Sequence, residues 1–487
     1  MRRERSCSVH DPAVAKVTEA TAPETGLLSL DAPREVVLER AAAIVADAWR
    51  SFDQFRPGQP PVDDLVRRLV EQGLPEAPAP ALEVLGDAAT VLDRSLAQTR
   101  PRFFAFVGSS GLEIGVLGDL LASCFDVNLA AWAAAATEVE QQAVRWVGEL
   151  VGFPAETGAF TSGGTVSNVT ALAAARERAL PGSRRNGIGD GVAMYCSAEA
   201  HYSAVRAAEL LGIGSANVRA LPIDGARRLP PEAVAAAIDR DRAAGVVPVA
   251  VVATAGTTLT GAVDPLDGLA DVCGERGVWL HVDGAYGLPA AAVPETAPLF
   301  KGLERADSAT VDAHKWLYLP KACGVVLVRR RSELAAALEH EEDYFPHERN
   351  EPHAVDITLE YSRPFRALKL WLAFRAHGAA AFRAAVGRNL RQARLLYEEV
   401  AARPELESLC GPPPLSIVPF RHVGGADLDA HNAALVRALQ QDGRVWVAPA
   451  HVDGRTCLRP CIVNFRTTDD DVRALVDLAC ELGSSQA

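Results

Sequence analysis

A histidine and a lysine stand side by side at the end of one apolar run. The segment SATVDAHKWL (308–317) is strand-like at its start and then presents His314 and Lys315 between apolar residues. Burial lowers the pKa of a lysine, and a neutral lysine amine attacks aldehydes. Only five of the 49 basic residues are lysines. This scarcity favours a nucleophilic role for Lys315 over that of an ordinary surface lysine.

A carboxylate closes a second apolar run, in HVDGAYG (281–287). Small residues follow Asp283, and ligand sites of α/β proteins lie at the carboxyl ends of parallel strands. A carboxylate buried there is costly without a partner. Asp283 could therefore hold a cation or a protonated ring nitrogen; the alternative is that it caps the turn that follows.

A turn of glycines and hydroxyl residues, FTSGGT (160–165), directly precedes a predicted helix. Free N–H groups and the helix dipole make such a turn an anion site, and glycine lets a phosphate approach the backbone. The segment is neither a P-loop nor a GxGxxG motif. On its own it is equally consistent with a well-capped helix. His201, after another apolar run, is likewise more often structural when it stands alone.

The four features gain meaning when they are taken together, because each follows a predicted strand of one sheet. Pyridoxal 5′-phosphate requires all of them. It needs a lysine for its aldehyde, an acid for its pyridine nitrogen, an anion site for its phosphate and a flat group to stack on the ring. The combination predicts a site for this cofactor.

Strand-length apolar runs alternate with helical segments through the middle of the chain. Continuous apolar strands between helices indicate a sheet buried on both faces and largely parallel. The predicted strands are 193–197, 247–253, 278–282, 308–311 and 324–328, and the predicted helices between them include 166–180, 204–211, 231–244 and 266–275.

Three parts are predicted along the chain: an N-terminal tail and helical segment (1–95), a large cofactor-binding α/β domain (96–375) and a small C-terminal α+β domain (376–487). The pattern predicts helices over 32–49, 62–73, 366–401 and 470–482, and β-like runs over 415–420, 445–448 and 461–465.

Composition excludes several classes of function. With 49 basic and 62 acidic residues among 487, the net charge is −13, which disfavours nucleic-acid binding. The apolar runs are too short to cross a membrane, and the start of the chain lacks an apolar signal region. The nine scattered cysteines include no CxxC pair. This usage indicates reduced thiols in the cytoplasm and no metal site.

The motifs resemble those of the group II pyridoxal-phosphate-dependent amino-acid decarboxylases, the family of aromatic-L-amino-acid, histidine and glutamate decarboxylases, in a bacterial-type form. HVDGAYG and DAHKW (312–316) carry the resemblance most specifically. It extends in order and spacing from about 96 to 480, with further blocks at 101–106, 137–140, 200–203, 254–258 and 363–371. It implies the aspartate aminotransferase fold (fold type I): an α/β domain with a mostly parallel seven-stranded sheet flanked by helices, and a small α+β C-terminal domain.

The resemblance also implies a role for each residue around the cofactor ring. Lys315 would form the internal aldimine, and Asp283 would keep the pyridine nitrogen protonated. Ala285 would lie against one face of the ring. His201 would stack on the other face, near the substrate carboxylate, with Thr257 beside it.

The remaining implied roles concern the phosphate, the proton and the partner subunit. Gly164 and Thr165 match phosphate-binding positions, with His314 nearby, and Ser162 and Gly163 beside them are also expected to bind the cofactor. Tyr344 matches a mobile-loop tyrosine that helps protonate the substrate carbanion. In the family this loop reaches the neighbouring subunit, which implies a homodimer with its active site at the interface. Asp312 departs from the pattern, because animal members often carry a phosphate-contacting Asn there. An ionised carboxylate would repel phosphate, so Asp312 either points away or is offset by a cation.

The implied reaction is decarboxylation of an L-amino acid to an amine and CO2. An aromatic substrate is favoured, because Phe103, Phe104 and Phe106 match a segment that lines the side-chain pocket of aromatic decarboxylases. Glutamate, aspartate and diaminobutyrate stay open as substrates. A lyase or an aldehyde synthase on the same scaffold is an alternative, although retention of Tyr344 argues against the synthase. A non-catalytic homologue is the remaining alternative, and the intact site residues argue against it.

Overall fold

The computed structural model describes residues 28–53, 62–340 and 353–486. Within these ranges the chain divides into two units. One comprises 28–48 and 62–95, and the other comprises 49–53 and 96–486. Tyr344 lies outside the described residues, so its predicted role stays a prediction. In the described ranges, no helix is both long and apolar enough to cross a membrane.

The N-terminal helices are α1 (Arg34–Phe52), α2 (Asp64–Val70) and α3 (Ala81–Asp93). The predictions over 32–49 and 62–73 are confirmed as α1 and α2, while α3 was not predicted. Asp63 caps α2 by accepting a hydrogen bond from the N–H of Val66. Its other carboxylate oxygen accepts a hydrogen bond from Arg94 Nε at 3.2 Å. Neither α1 nor α3 has a buried residue.

Seven strands form the large sheet, in the order β1-β7-β6-β5-β4-β2-β3. Their bounds are β1 (Thr157–Thr161), β2 (Val192–Ser197), β3 (Val218–Leu221), β4 (Val247–Thr254), β5 (Trp279–Asp283), β6 (Ser308–Asp312) and β7 (Gly324–Val328). Strand β7 runs antiparallel to its neighbours β1 and β6, and the other paired strands are parallel. The predicted mostly parallel seven-stranded sheet is thus confirmed.

Helices cover both faces of this sheet, as a parallel sheet requires. The helices of this part of the chain are α4 (Glu113–Phe125), α5 (Ala135–Val151), α6 (Gly164–Ala179), α7 (Ser183–Asn186), α8 (Ser203–Leu210), α9 (Pro231–Ala243), α10 (Leu266–Arg276) and α11 (Arg331–Leu338). One core cluster contains side chains of α5, α9 and α10, and the other contains side chains of α6, α8 and α11. Side chains alternate between the two clusters along the strands because successive residues of a strand point to opposite faces.

The C-terminal part is an α+β layer, as predicted. Its helices are α12 (Ala367–Ala401), α13 (Leu428–Asp442) and α14 (Asp469–Gln486), and its strands are β8 (Leu406–Ser408), β9 (Phe420–His422), β10 (Ala448–Val452) and β11 (Arg455–Arg459). The four strands pair antiparallel in the order β10-β11-β9-β8. The proposed domain boundary at 375/376 falls inside α12, close to its non-helical residue Gly378.

The three β-like runs predicted in this part are wrong in extent. Phe420 begins β9 and Ala448 begins β10, but most of 415–420, 445–448 and 461–465 is not strand. An isolated bridge joins Ile417 to Cys461. Pro419 lies within the first segment and Pro460 directly precedes the third, and proline cannot donate a ladder hydrogen bond. The runs are apolar because they are buried, not because they are strands.

Candidate active site

A cavity of about 330 Å³ lies at the carboxyl ends of the large sheet. Nine of the ten residues predicted to bind the cofactor line it, the exception being Thr257. Thr257 is fully buried, and its hydroxyl closes a turn by accepting the N–H of Ala262 at 3.1 Å. Its neighbour Thr258 lines the cavity instead. The size is within the usual range of a small-molecule site.

The sheet brings these residues together because each follows a strand. Asp283 and Asp312 are the last residues of β5 and β6. Ser162 follows β1, and His201 follows β2 after a short turn. Residues scattered over 150 positions in the sequence therefore meet at one edge, as expected for an open α/β sheet.

Lys315 lies in the connection between β6 and β7, where its amine meets Asp312. Lys315 Nζ is 3.0 Å from Asp312 Oδ2, and His314 Nε2 is 3.7 Å from the same oxygen. The Asp312 side chain is buried and its Oδ1 has no hydrogen-bond partner, whereas the Lys315 side chain is 23% exposed. Burial lowers the pKa of His314. Of the two alternatives for Asp312, the structure shows the second: it faces the site and a cation offsets it.

The start of α6 forms the anion cradle. Gly164 is the first residue of the helix, and a Cβ placed on it would lie 2.9 Å from Ala285 Cβ and 3.0 Å from Asp312 Oδ2. A Cβ on Gly163 would lie 3.3 Å from the His314 ring. A side chain at Gly164 would crowd its neighbours, and the two glycines leave the first N–H groups of a 16-residue helix open to a phosphate.

Asp283 is held by donors on both oxygens. Asn168 Nδ2 donates to Oδ2 at 2.9 Å, and the N–H of Ala285 donates to Oδ1 at 3.2 Å. Asn168 is in turn 3.0 Å from the ring of His281. The sequence analysis missed both residues. Asn168 sits among small helix residues and carries no signal of its own. The available signal for His281 was its position two residues before Asp283 on one strand, which places both side chains on the same face of the sheet.

His201 reaches the cavity from the turn before α8. The backbone N–H of Ser203 donates to His201 Nδ1 at 3.2 Å, and the Ser203 hydroxyl lies 2.8 Å from the same nitrogen. Because Nδ1 accepts, the ring is oriented by its own turn. Its exposed ring is thus free to stack on a bound planar group.

The three phenylalanines predicted to line a substrate pocket lie in different surroundings. Phe104 packs in the core of the C-terminal layer, and Phe103 packs beside Trp446 and Ala448. Phe106 is 54% exposed, with its ring 6.3 Å from that of Phe103. Among the described residues that line the cavity, none of the three is present.

The set of groups fits pyridoxal phosphate: a glycine cradle at a helix start, a buried carboxylate with two donors, and a lysine amine at the rim. The family model described as "Pyridoxal-dependent decarboxylase conserved domain" matches residues 64–423. The chain belongs to this family. Pyridoxal phosphate is therefore the cofactor of the protein, which is a carboxy-lyase acting on amino acids.

Relatives of this decarboxylase differ in substrate and product. It is 33% identical to an aromatic-L-amino-acid decarboxylase of Bacillus atrophaeus, over 84% of this chain and 87% of that one. It is 34% identical to an L-2,4-diaminobutyrate decarboxylase of Rhizobium meliloti, over 91% and 88% of the two chains. A phenylacetaldehyde synthase of Petunia hybrida is 30% identical, over 85% and 87%.

A solved structure confirms the fold class of the decarboxylase. The Oryza sativa TDC crystallised with PLP and tryptamine matches with a TM-score of 0.86 and 27% identity, over 93% of this chain and 97% of that chain. The predicted family, fold, cofactor and reaction class are thus confirmed, and the substrate is still open.

Proposed function

We propose that the protein decarboxylates an aromatic L-amino acid to the corresponding amine. The observation that carries this proposal is the placement of Phe106. Arg459 Nη1 donates to the Phe106 carbonyl at 2.7 Å, and the same guanidinium donates to the carbonyl of Thr258, a cavity residue. The Phe106 backbone is thereby linked to a cavity residue, while its ring is exposed and lies 6.3 Å from the ring of Phe103. An exposed aromatic ring on this linked segment supports an aromatic substrate side chain.

The roles proposed for the chain's own residues follow from their contacts. Lys315 would hold the cofactor through its amine, and Asp283 would hold a proton on the pyridine nitrogen by its negative charge. His201, which lines the same cavity, would support the ring. When bound, pyridoxal phosphate supplies the electron sink that accepts the pair left at Cα as CO2 departs.

Protonation of Cα completes the reaction, and we assign this proton to Tyr344, which lies outside the described residues. A Tyr344→Phe variant removes the donor but keeps the ring. We expect it to form less amine and to consume oxygen with release of aldehyde. If it forms amine at the rate of the unaltered enzyme, Tyr344 is not the donor.

We further propose a cytoplasmic homodimer with the active site at its interface. The eight described cysteines are all free thiols, which supports a reducing compartment. The exposed apolar side chains of the N-terminal helices, such as Leu38 and Leu92, support self-association. Fractionation of the source cells and sedimentation of the purified protein test the two statements separately.

The substrate is tested with a panel of amino acids and trapped CO2. L-Phenylalanine, L-tyrosine, L-tryptophan, L-glutamate and L-2,4-diaminobutyrate are supplied to the holoenzyme, and the amine, aldehyde and CO2 are quantified. We expect the highest kcat/KM with an aromatic substrate. A Phe106→Ala variant should raise its KM about tenfold, or ~1.4 kcal/mol. Phe125→Ala, which removes an exposed phenylalanine of α4, is the matched control.

Diaminobutyrate is the second candidate substrate, because the relative that acts on it is 34% identical over 91% of the chain. A preference for diaminobutyrate, with Phe106→Ala leaving its KM unchanged, would replace the aromatic proposal. Equal amounts of aldehyde and CO2, with oxygen consumed, would instead assign the protein to the aldehyde-forming relatives.

A further inference from the structure

A chain of buried hydrogen bonds leads from Asp283 into the core of the sheet. Trp279, His281 and Asp283 alternate along β5 and therefore share one of its faces. Ser308 of β6 pairs with His281 in the sheet register, and Asn168 of α6 lies over the same face. All five side chains are buried.

The direction of each hydrogen bond is fixed from both ends. The Trp279 indole can only donate, and its Nε1 lies 2.8 Å from Ser308 Oγ. The Ser308 hydroxyl accepts this hydrogen bond and keeps its own hydrogen to donate, and His281 Nδ1 lies 2.8 Å away as the acceptor. At the other end, an amide beside a carboxylate must present its NH2 group, so Asn168 Nδ2 donates to Asp283 at 2.9 Å. Asn168 Oδ1 then accepts from His281 Nε2 at 3.0 Å.

This order of donors requires a neutral His281 that carries its proton on Nε2. Burial lowers the pKa of His281 to about 4, which agrees with that requirement. An amide stands between His281 and Asp283, and an amide does not pass protons on. The chain therefore orients groups and does not transfer protons.

The amide of Asn168 also links the two groups proposed to hold the cofactor ring. Its second hydrogen is donated to Ser203 Oγ at 2.9 Å, and Ser203 contacts His201 Nδ1. Ser203 Oγ also lies 3.5 Å from Asp283 Oδ2. Rotation of the Asn168 side chain would thus disturb Asp283 and His201 together.

We propose that Asn168 and His281 are positioning residues that fix the Asp283 carboxylate in the orientation in which it keeps the pyridine nitrogen of the cofactor protonated. The inference rests on the proposed role of Asp283. Asn168 holds Oδ2 and the Ala285 N–H holds Oδ1, so both oxygens of the carboxylate are fixed where Asp283 lines the cavity. A carboxylate that is free to turn holds the nitrogen proton less firmly.

The test is the protonation state of the ring nitrogen itself. Holoenzyme reconstituted with ring-¹⁵N-labelled pyridoxal phosphate is titrated with pH by NMR, and the dissociation constant of the cofactor is measured by equilibrium dialysis. His281→Leu removes the donor to Asn168, whereas His281→Gln keeps an amide donor near the position of Nε2. Thr310→Val is the matched control, because Thr310 pairs with Asp283 in the sheet and its buried hydroxyl has no hydrogen-bond partner.

We expect His281→Leu to lower the proton affinity of the ring nitrogen about tenfold and to raise the cofactor dissociation constant about tenfold, the size seen when outer supports of a bound group are removed. Asn168→Leu should act in the same direction. His281→Gln should recover most of the loss, and Thr310→Val should match the unaltered enzyme.

Each other outcome has a definite meaning. If His281→Leu only lowers thermal stability and leaves the nitrogen signal unchanged, the chain is structural and the inference is wrong. If His281→Leu does not fold, Ser308→Ala replaces it, and an unchanged signal there overturns the inference as well. If Asp283→Asn also leaves the nitrogen protonated, the proposed role of Asp283 fails instead.

Discussion

Asp312 is the residue whose charge is least expected in this site. Its carboxylate lies at the edge of the anion cradle, and its ion pair with Lys315 must open before that amine can bond to the cofactor. Asp312→Asn removes both the repulsion of phosphate and the ion pair. We expect pyridoxal phosphate to bind the cofactor-free variant about fivefold more tightly, or ~1 kcal/mol, and faster.

Stopped-flow growth of the visible absorption band measures this effect of Asp312→Asn. Asp307→Asn is the matched control, because Asp307 precedes the same strand, pairs with Arg178 and does not line the cavity. Slower or weaker binding by Asp312→Asn alone would show that its carboxylate serves to aim Lys315, and the repulsion argument would be wrong.

Helix α6 serves the site through its first turn. A Cβ on Gly164 would crowd Ala285 and Asp312, and it would fill the space that a phosphate needs. We expect Gly164→Ala to raise the dissociation constant of the cofactor at least tenfold, measured by fluorescence titration. Gly274→Ala, at an exposed helical position of α10 with no atom within 4 Å, is the control. It should leave binding unchanged and stabilise the fold by up to ~1 kcal/mol.

Strand β5 and helix α6 bury His281 in a neutral form, which makes stability depend on pH. Its pKa is lowered to about 4 in the folded protein, against 6.5 for an unperturbed histidine. Between pH 6.5 and pH 4, His281 is therefore protonated in the unfolded chain but stays neutral in the folded protein. We expect this group to remove about 3 kcal/mol of unfolding free energy as the pH falls through that range.

Thermal unfolding at a series of pH values tests the His281 effect, with His281→Gln as the comparison. The variant should lose the part of the pH dependence that comes from His281. The contributions of other groups should persist, such as that of Asp264, whose pKa is raised by burial to about 6. Parallel pH profiles for the two proteins would contradict the assignment.

The sequence predicted those elements in which burial and local pattern agree. Strands β2 and β4 to β7 are short apolar runs, and site residues stand at or after the ends of β2, β5 and β6, so those strands and the site were found together. Strand β1, TGAFT, carries a glycine, and β3 is a partly exposed edge strand. Neither has a continuous apolar pattern. Asn168 could not be found because its role depends on α6 crossing β5, a contact between residues 115 positions apart.

At the scale of the whole molecule, the N-terminal helices carry apolar side chains that are exposed among the described residues. None of the residues of α1 or α3 is buried, and Leu38 and Leu92 are among the exposed apolar side chains. An uncovered apolar helix face marks an interaction surface, and we expect a second copy to cover this one. Sedimentation should give twice the 51.7 kDa of one chain.

Charged substitutions on these helices should weaken the dimer. A Leu38→Glu, Leu92→Glu variant loses two apolar contacts of about 1.5 kcal/mol or more each, so its dissociation constant should rise at least a hundredfold. Leu74→Glu changes an exposed leucine outside the helices and is the control. A double variant that sediments like the unaltered protein would place the interface elsewhere.

Complementation between two inactive variants decides whether the subunits share a site. Lys315→Ala lacks the amine and should form no amine product, and Tyr344→Phe lacks the proposed proton donor and should form little. If the loop carrying Tyr344 serves the neighbouring subunit, a mixed dimer has one site with both Lys315 and Tyr344. Random exchange makes half of the dimers mixed, so an equimolar mixture should regain about a quarter of the unaltered amine-forming activity. If each loop serves its own subunit, every site in the mixture lacks one group. No activity would return, although a dimer that exchanges subunits would still be seen by sedimentation of a tagged mixture.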